Sequence, residues 1–313
     1  MGCSSIIFDG WAVSLEKFTE MEILPNMASF KIFTDSCSDL PQAIADRYDI
    51  GVAPLTVDLE GDVYDDRTRP AADLYAAQRA GKTSKSAAVN PDRWVSYMEP
   101  VLKEGRDILV LDFAAVMSAT YQSAVIAADE LREHYPDRKS YVLDTLSATA
   151  GQCVLIQLAA EKRDAGEDID AVYNWIMDNR THVCHWVTVN DLMLLKRGGR
   201  LSASSAVMGT MLQVKPLLVL DETGALQTFS KVRARKTALN TMADKVTKTA
   251  MPEVCDTAYV FHADCLEDAE YLAEKIKADS GIKNVVIDYV GSVIGTHLGC
   301  GGLVVGFFGT ERK

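Results

Sequence analysis

Hydrophobic positions in the first half of the chain form short apolar runs, separated by amphipathic stretches of helical length. Four of the runs predict buried strands, which cover residues 30–34, 52–59, 108–111 and 141–143. Five longer stretches predict helices, which cover residues 39–48, 71–80, 91–104, 118–134 and 149–165. Strands that alternate with helices form a mainly parallel sheet, because parallel neighbours need a crossover connection. The first half therefore predicts an α/β domain with helices on both faces of its sheet.

The second half predicts a mixed sheet. Its helices are expected at 168–180, 202–212, 231–250 and 266–280, and its strands at 183–189, 214–220, 257–262, 285–290 and 303–308. A turn at 221–224 joins one strand to a short partner, which introduces antiparallel pairing. We therefore expect an N-terminal extension (1–28), two α/β domains (29–178 and 179–313), and packing of segment 56–80 with the second domain.

Composition and charge restrict the class of protein. Of the 313 residues, 48% are hydrophobic and 24% are charged, which is typical of a globular protein. The net charge of −12 argues against nucleic acid or an anionic membrane as the partner, because both attract clustered cations. No apolar run is long enough for stable membrane insertion. The seven cysteines form no C-x-x-C pair, which predicts reduced thiols in a cytoplasmic protein.

One segment combines five glycines with a single histidine. It follows the predicted strand 285–290 and reads Gly291-Ser-Val-Ile-Gly295-Thr-His297-Leu-Gly299-Cys-Gly301-Gly302. Glycine permits backbone conformations that other residues resist. The segment therefore predicts a loop of irregular backbone that presents His297 as a hydrogen-bonding group.

Three predicted strands of the first half end in aspartate, namely Asp35, Asp112 and Asp144. Ligands of open α/β sheets bind beyond the carboxyl ends of the strands, where the hydroxyl residues that follow would line a crevice. These hydroxyl residues are Ser36, Ser38, Ser118, Thr120, Ser147 and Thr149. Serine and threonine are also preferred helix caps, so each residue taken singly is more simply a cap.

Two glycines, Gly198 and Gly199, lie between Arg197 and Arg200. A glycine in the left-handed conformation commonly ends a helix, which would leave Arg197 in solvent. An arginine beside a glycine turn also suits bidentate binding of a carboxylate or phosphate. Further along, the cationic run 231–236 predicts a solvated helix face or a docking patch for an acidic partner.

Eight motifs in this order resemble the DegV family. They are Thr34-Asp-Ser-Cys-Ser-Asp-Leu-Pro41, Lys82-Thr-Ser84, Ser118-Ala-Thr-Tyr-Gln-Ser-Ala124, Asp144-Thr-Leu-Ser147, Lys196-Arg-Gly-Gly-Arg-Leu-Ser202, Lys215-Pro216, Arg233-Ala-Arg-Lys236 and Gly295-Thr-His297-Leu-Gly-Cys-Gly301. The resemblance covers essentially residues 29–310. It implies two α/β domains with a tunnel between them that holds a long-chain fatty acid.

The resemblance also implies a division of labour. The chain would be a bacterial lipid carrier and not an enzyme, monomeric when free. It would present the carboxylate of the fatty acid to a separate fatty acid kinase, which forms an acyl-phosphate for phospholipid metabolism. The fatty acid would be its ligand, and no cofactor, metal or catalytic residue of its own is implied.

The family pattern assigns the binding residues in turn. Matched residue by residue, the donors to the carboxylate would be Thr83, Ser84, Ser118, Thr120 and His297. Arg200 would lie on the rim that faces the kinase. A few donors beside an apolar tunnel are what a fatty acid requires.

The chain departs from the family pattern at three motifs. Lys85-Ser86 replaces Gln-Pro after Thr83-Ser84, Ala119 replaces a glycine, and Cys300 replaces a proline. Alanine resists positive φ, so Ala119 would tighten the turn before the next helix. These changes bear on chain-length preference and kinase pairing more than on the class of ligand.

Two other functions stay open from the sequence. One is a regulatory protein that senses lipid without a kinase. The other is a Mg²⁺-dependent phosphotransferase or phosphatase with Asp35 as nucleophile and further aspartates as metal ligands. The motif after Asp35 lacks the second aspartate, two positions on, that a haloacid-dehalogenase-like phosphatase would show.

Overall fold

The computed structural model describes residues 30–201 and 214–310 together with Arg312. The predicted extension 1–28 and the predicted helix 202–212 lie outside these residues. The strands are β1 (Phe30–Asp35), β2 (Ile50–Ala53), β3 (Thr56–Leu59), β4 (Asp62–Asp65), β5 (Ser84–Ala87), β6 (Asp107–Asp112), β7 (Ser140–Asp144), β8 (Val183–Thr188), β9 (Val214–Leu220), β10 (Leu226–Arg233), β11 (Thr257–His262), β12 (Asn284–Tyr289) and β13 (Leu303–Phe308).

The helices in the same ranges lie between these strands. They are α1 (Gln42–Arg47), α2 (Ala71–Arg79), α3 (Pro91–Lys103), α4 (Thr120–His134), α5 (Thr149–Asp164), α6 (Ile169–Asn179), α7 (Met193–Arg197), α8 (Arg235–Thr249), α9 (Leu266–Asp279) and α10 (Ser292–Leu298). In the part of the chain described here, no helix has the length and apolar character needed to cross a bilayer.

The first sheet has four parallel strands in the order β2-β1-β6-β7. Its central strand β6 is fully buried at residues 108–111, because α3 and α4 pack on the sheet as one pair and α5 and α6 as another. A strand buried on both faces reads as a continuous apolar run, which is why the sequence predicted it. The predicted parallel α/β sheet is confirmed.

The second sheet is mixed and has six strands in the order β10-β9-β8-β13-β11-β12. Only β11 and β12 pair in parallel within it, and its other pairs are antiparallel. Helices α8 and α9 pack together on this sheet, and α5 contacts β8, β11 and β13. The predicted mixed sheet is confirmed, and its contacts with α5 bring the two sheets together.

The buried helix α5 separates the two sheets. Glycines permit its close approach to β13, because a Cβ added at Gly306 would collide with the backbone at Ala150 and Gly151. One continuous apolar core therefore includes side chains of both sheets, such as Val110 and Val304.

A third, antiparallel sheet has the order β4-β3-β5. Its strands β3 and β5 contact α10, and so does the neighbouring helix α2. Residues of segment 56–80 thus touch a helix of the second half. The domain boundary near residue 178 stays a prediction.

The structure corrects several predicted element bounds. The single strand predicted at 52–59 is two strands, β2 and β3, because Pro54 between them has no N–H for a ladder. The helix predicted at 231–250 begins at Arg235, since residues 231–233 continue β10. A positive φ of 72° at Ala234 turns the chain between strand and helix. Strands β4 and β5 were not predicted.

Candidate functional site

His297 lies on the short helix α10, and not on the irregular loop that its glycines predicted. The helix follows Gly291 and ends at Gly299, whose φ of 74° lies in the left-handed region. Gly295 allows close packing inside the helix, because a Cβ there would lie 2.5 Å from Tyr75 Oη. Tyr75 Oη in turn donates to the Val290 carbonyl at 2.7 Å. The glycines therefore dock α10 tightly against α2.

Strand β5 supplies the hydroxyl groups that face α10. Ser86 Oγ lies 2.9 Å from His297 Nε2, and Ser84 Oγ lies 3.0 Å from Thr296 Oγ1. Residues two apart on a strand share a face, so both serines point toward the helix. Thr83 points elsewhere: it is exposed, and its N–H donates to Glu60.

The end of α7 places Arg200 beside the histidine. Gly199 has a φ of 72°, as expected for a left-handed helix end, and the Arg200 N–H donates to the Leu195 carbonyl at 2.9 Å. A Cβ at Gly198 would collide with His297 Nδ1, so this glycine makes room for the imidazole. The Arg200 side chain donates to the carbonyls of Met117 and Gly198.

A cavity runs inward from these groups. It contains about 690 Å³ not occupied by protein atoms, part of it open to solvent. Its walls combine residues of the second and third sheets, of neighbouring helices, and of the loops that follow strands of the first sheet. They are Cys37, Leu55, Ser86, Phe113, Met117, Ser118, Ala148, Thr149, His185, Val187, Leu195, Arg200, Leu220, Leu226, Val293, Ile294, His297, Leu298 and Val304.

The cavity has a polar mouth and a mainly apolar interior. Four polar wall residues are half-buried, namely Ser86, Ser118, Arg200 and His297, whereas most apolar wall residues are fully buried. Burial and the nearby Arg200 charge lower the pKa of His297 to about 4. The imidazole is therefore neutral at pH 7, and Arg200 provides the positive charge at the mouth.

Three of the six residues assigned by resemblance line this cavity, namely Ser118, Arg200 and His297. Arg200, predicted at a partner-facing rim, lies in the cavity wall at its mouth. Thr120 is buried at the start of α4, where its Oγ1 shares a 2.9 Å hydrogen bond with Ser118 Oγ. Thr120 therefore orients Ser118 and does not itself reach the cavity.

Ser86 is the mouth residue that sequence reasoning missed. The geometry favours Ser86 over Thr83 and Ser84 as a donor, because only Ser86 of the three lines the described cavity and contacts His297. The sequence does show two serines, Ser84 and Ser86, at the spacing that places them on one face of a strand. However, β5 is too short and too polar to be recognised as a strand from its sequence.

The three strand-end aspartates hold the loops that follow the strands. The Asp35 carboxylate accepts the N–H groups of Cys37 and Phe113, each at 2.7 Å, and Asp144 accepts that of Leu146 at 2.9 Å. Burial and the neighbouring Asp35 raise the pKa of Asp112. These contacts fit loop caps better than a nucleophile with metal ligands. Among the described residues, no group of three or more His, Cys, Asp or Glu could hold a metal ion.

Comparison with known proteins identifies the family. The family model described as "Uncharacterised protein, DegV family" matches residues 29–310. A DegV domain-containing protein of Clostridium perfringens is 38% identical over 291 residues, covering 92% of this chain and 100% of the relative. Another from Streptococcus pyogenes is 36% identical over 293 residues, covering 91% and 100%.

Solved structures show the same fold. A DegV lipid-binding protein from Thermotoga maritima has a TM-score of 0.79 at 26% identity, covering 91% of this chain and 99% of that one. A fatty-acid-binding DegV protein from Streptococcus agalactiae has a TM-score of 0.77 at 27% identity, with the same coverage. The family match and these relatives agree with the eight sequence motifs. The chain belongs to the DegV family.

Proposed function

We propose that this chain binds a long-chain fatty acid, with its tail in the cavity and its carboxylate at the mouth. The observation that carries the proposal is the arrangement of the cavity, whose interior is mainly apolar and whose mouth holds Ser86, Ser118, His297 and Arg200. The relatives from Thermotoga maritima and Streptococcus agalactiae, described as lipid-binding and fatty-acid-binding proteins, support this ligand class.

The two ends of the cavity suit the two ends of a fatty acid. Each methylene moved from water into the apolar interior contributes about 0.8 kcal/mol, so the tail supplies most of the binding free energy. The carboxylate accepts hydrogen bonds from the hydroxyls of Ser86 and Ser118, and Arg200 lies close enough to favour its negative charge. In the described ranges Arg200 donates only to backbone carbonyls, so no carboxylate neutralises it.

We propose further that the bound carboxylate is the substrate of a separate kinase. A carboxylate oxygen attacks the γ-phosphorus of ATP held by the kinase, the bond to the ADP oxygen breaks, and an acyl-phosphate forms. The half-buried mouth supports this step, because the headgroup stays within reach of a second protein. The chain would act in the cytoplasm, monomeric when free, without a cofactor or catalytic residue of its own.

The test is reconstitution with the fatty acid kinase of the same organism. Purified chain loaded with a fatty acid is mixed with kinase and ATP, and acyl-phosphate is trapped as the hydroxamate. We expect about tenfold less product from Ser86→Ala, because a donor to an ionised oxygen is lost. Ser84→Ala is the matched control, because it removes a hydroxyl from the same strand face outside the cavity wall.

The outcomes separate the alternatives. Loaded protein that gives no acyl-phosphate would contradict the kinase step and favour lipid sensing. An equal loss of acyl-phosphate in the Ser86→Ala and Ser84→Ala variants would show that each substitution disturbs β5. Ser86 would then not be a specific donor to the carboxylate. Lipid-free protein that hydrolyses a phosphate ester with Mg²⁺ would overturn the proposal.

A further inference from the structure

Two polar side chains interrupt the apolar interior of the cavity. His185 on β8 and Thr149 at the start of α5 both line it, with only 1% and 4% of their surfaces exposed. Neither belongs to the polar mouth, whose residues are half-buried. An unsubstituted hydrocarbon tail offers neither of them a hydrogen bond.

The imidazole of His185 has one nitrogen in use. The Ala148 N–H donates to Nε2 at 3.4 Å, so Nε2 carries the lone pair. Burial and the Arg312 charge lower the pKa of His185 to about 3, which keeps the ring neutral and places its proton on Nδ1. The backbones of Ala148 and Val183 offset only part of this shift in pKa. Nδ1 has no hydrogen-bond partner with normal geometry within the described residues.

Thr149, at the start of α5, also has a buried polar atom without a hydrogen-bond partner of normal geometry among the described residues. This atom is Oγ1, and the Asp39 carboxyl lies near enough for the hydroxyl to lower its pKa. The residue also has a φ of 44°, which is unfavourable for a β-branched side chain. Such strain persists where the surrounding structure imposes it, and it is common at binding sites.

Unpaired polar groups in an apolar wall have a consequence for selectivity. A plain acyl tail excludes water from His185 and Thr149 and adds no hydrogen-bond partner for His185 Nδ1 or Thr149 Oγ1. A tail with a hydroxyl group would accept from Nδ1–H and could donate to Thr149 Oγ1. A keto group would accept from either residue.

We propose that the cavity selects long-chain fatty acids that carry an oxygen on the tail, a hydroxyl or keto group, which His185 and Thr149 hydrogen-bond. This inference rests on the proposed function and names the substrate class within it. The mouth residues would bind the carboxylate that every fatty acid has. The two interior residues would distinguish tails with a hydroxyl or keto group from unsubstituted tails.

The experiment compares stearic acid with a series of hydroxystearic acids that differ only in the position of the hydroxyl group. Dissociation constants are measured on delipidated full-length chain by calorimetry. We expect at least one hydroxylated acid to bind about fivefold or more tightly than stearic acid, as for a buried donor that gains its partner. His185→Phe keeps an aromatic ring and Thr149→Val keeps the β-branch, and each should reduce this ratio while stearic acid still binds.

The possible results are distinguishable. If stearic acid binds and no hydroxylated acid binds more tightly, the inference fails and the proposed function stands. If a hydroxylated acid is preferred equally by wild type and both folded variants, the two residues do not recognise the oxygen and the inference is again wrong. If neither stearic acid nor any hydroxylated acid binds, the proposed function itself fails. Circular dichroism shows whether each variant is folded, and the wild-type comparison does not depend on either variant.

Discussion

At the scale of single residues, Arg200 provides the charge of the cavity mouth and His297 stays neutral beside it. Burial and the Arg200 charge disfavour its protonated form, which lowers its pKa from 6.5 to about 4. Ser86 then shares a hydrogen bond with a neutral ring at pH 7. A bound carboxylate would add a negative charge nearby and raise this pKa again.

This shift predicts a dependence of stability on pH in the ligand-free protein. Between pH 6.5 and 4 the unfolded chain binds a proton at His297 that the folded chain does not bind, so stability falls as pH falls through this range. Because the residue is half-buried, we expect a loss of roughly 1–2 kcal/mol. Urea unfolding at pH 7 and pH 5 measures it.

The matched variant is His297→Gln, which keeps a hydrogen-bonding group that does not titrate. It should lose less stability than wild type over the same pH interval, since the pKa shifts of His185 and His262 remain in both proteins. Identical losses in the two proteins would show that His297 protonates freely in the folded state.

Some residues of the mouth were predictable from the sequence, and Ser86 was not. The motifs predicted His297, Ser118 and Arg200 as site residues, and all three line the cavity. Ser86 depends on the register of β5, in which Ser86 lies opposite Val57 of β3. That register arises from contacts between segments distant in sequence, and the Lys85-Ser86 departure from the family pattern concealed it.

At the scale of elements, α10 depends on α2 for its position. Tyr75 is fully buried between them, and Gln78 Nε2 donates to the Gly295 carbonyl at 3.0 Å. The helix has only seven residues, and so short a helix is marginal without tertiary packing. These contacts, and not intrinsic helix propensity, therefore stabilise α10 and fix the position of His297.

Gly295→Ala tests this packing. The added Cβ would meet Tyr75 Oη at 2.5 Å and Leu74 Cδ2 at 3.0 Å, and we expect a net destabilisation of about 1–2 kcal/mol despite the better helix propensity of alanine. Thermal unfolding measures it. Tyr75→Phe in the same chain removes the Oη atom, so the double variant should be less destabilised than the sum of the single variants. Additive effects would show that the two residues are not in contact.

The elements also differ in how well their sequences predicted them. Strands β6 and β13 and helices α3 and α4 have strong apolar patterns, and the structure confirms them. The histidine segment and β5 lack such a pattern, because glycine and serine dominate them. Their structure is imposed by neighbours, which a local pattern does not contain.

At the scale of the whole molecule, the cavity exists because two sheets share the buried helix α5. Gly151 and Gly306 allow the close approach of α5. The mouth combines residues of β5 and α10 with Ser118 before α4 and Arg200 after α7. The sequence predicted the two sheet types and the family. It predicted Thr149 among the residues of a crevice, but it did not predict His185 beside it in the cavity wall, because residues on β8 and α5 become neighbours only in the folded chain.

Lipid analysis of the purified protein shows whether a fatty acid occupies this cavity. Purified chain is denatured and extracted with organic solvent, and the extract is quantified by mass spectrometry against protein concentration. We expect a long-chain fatty acid in nearly stoichiometric amount, absent from an unrelated protein purified in the same way. Folded chain that yields no fatty acid and takes none up when one is added would contradict the proposed function.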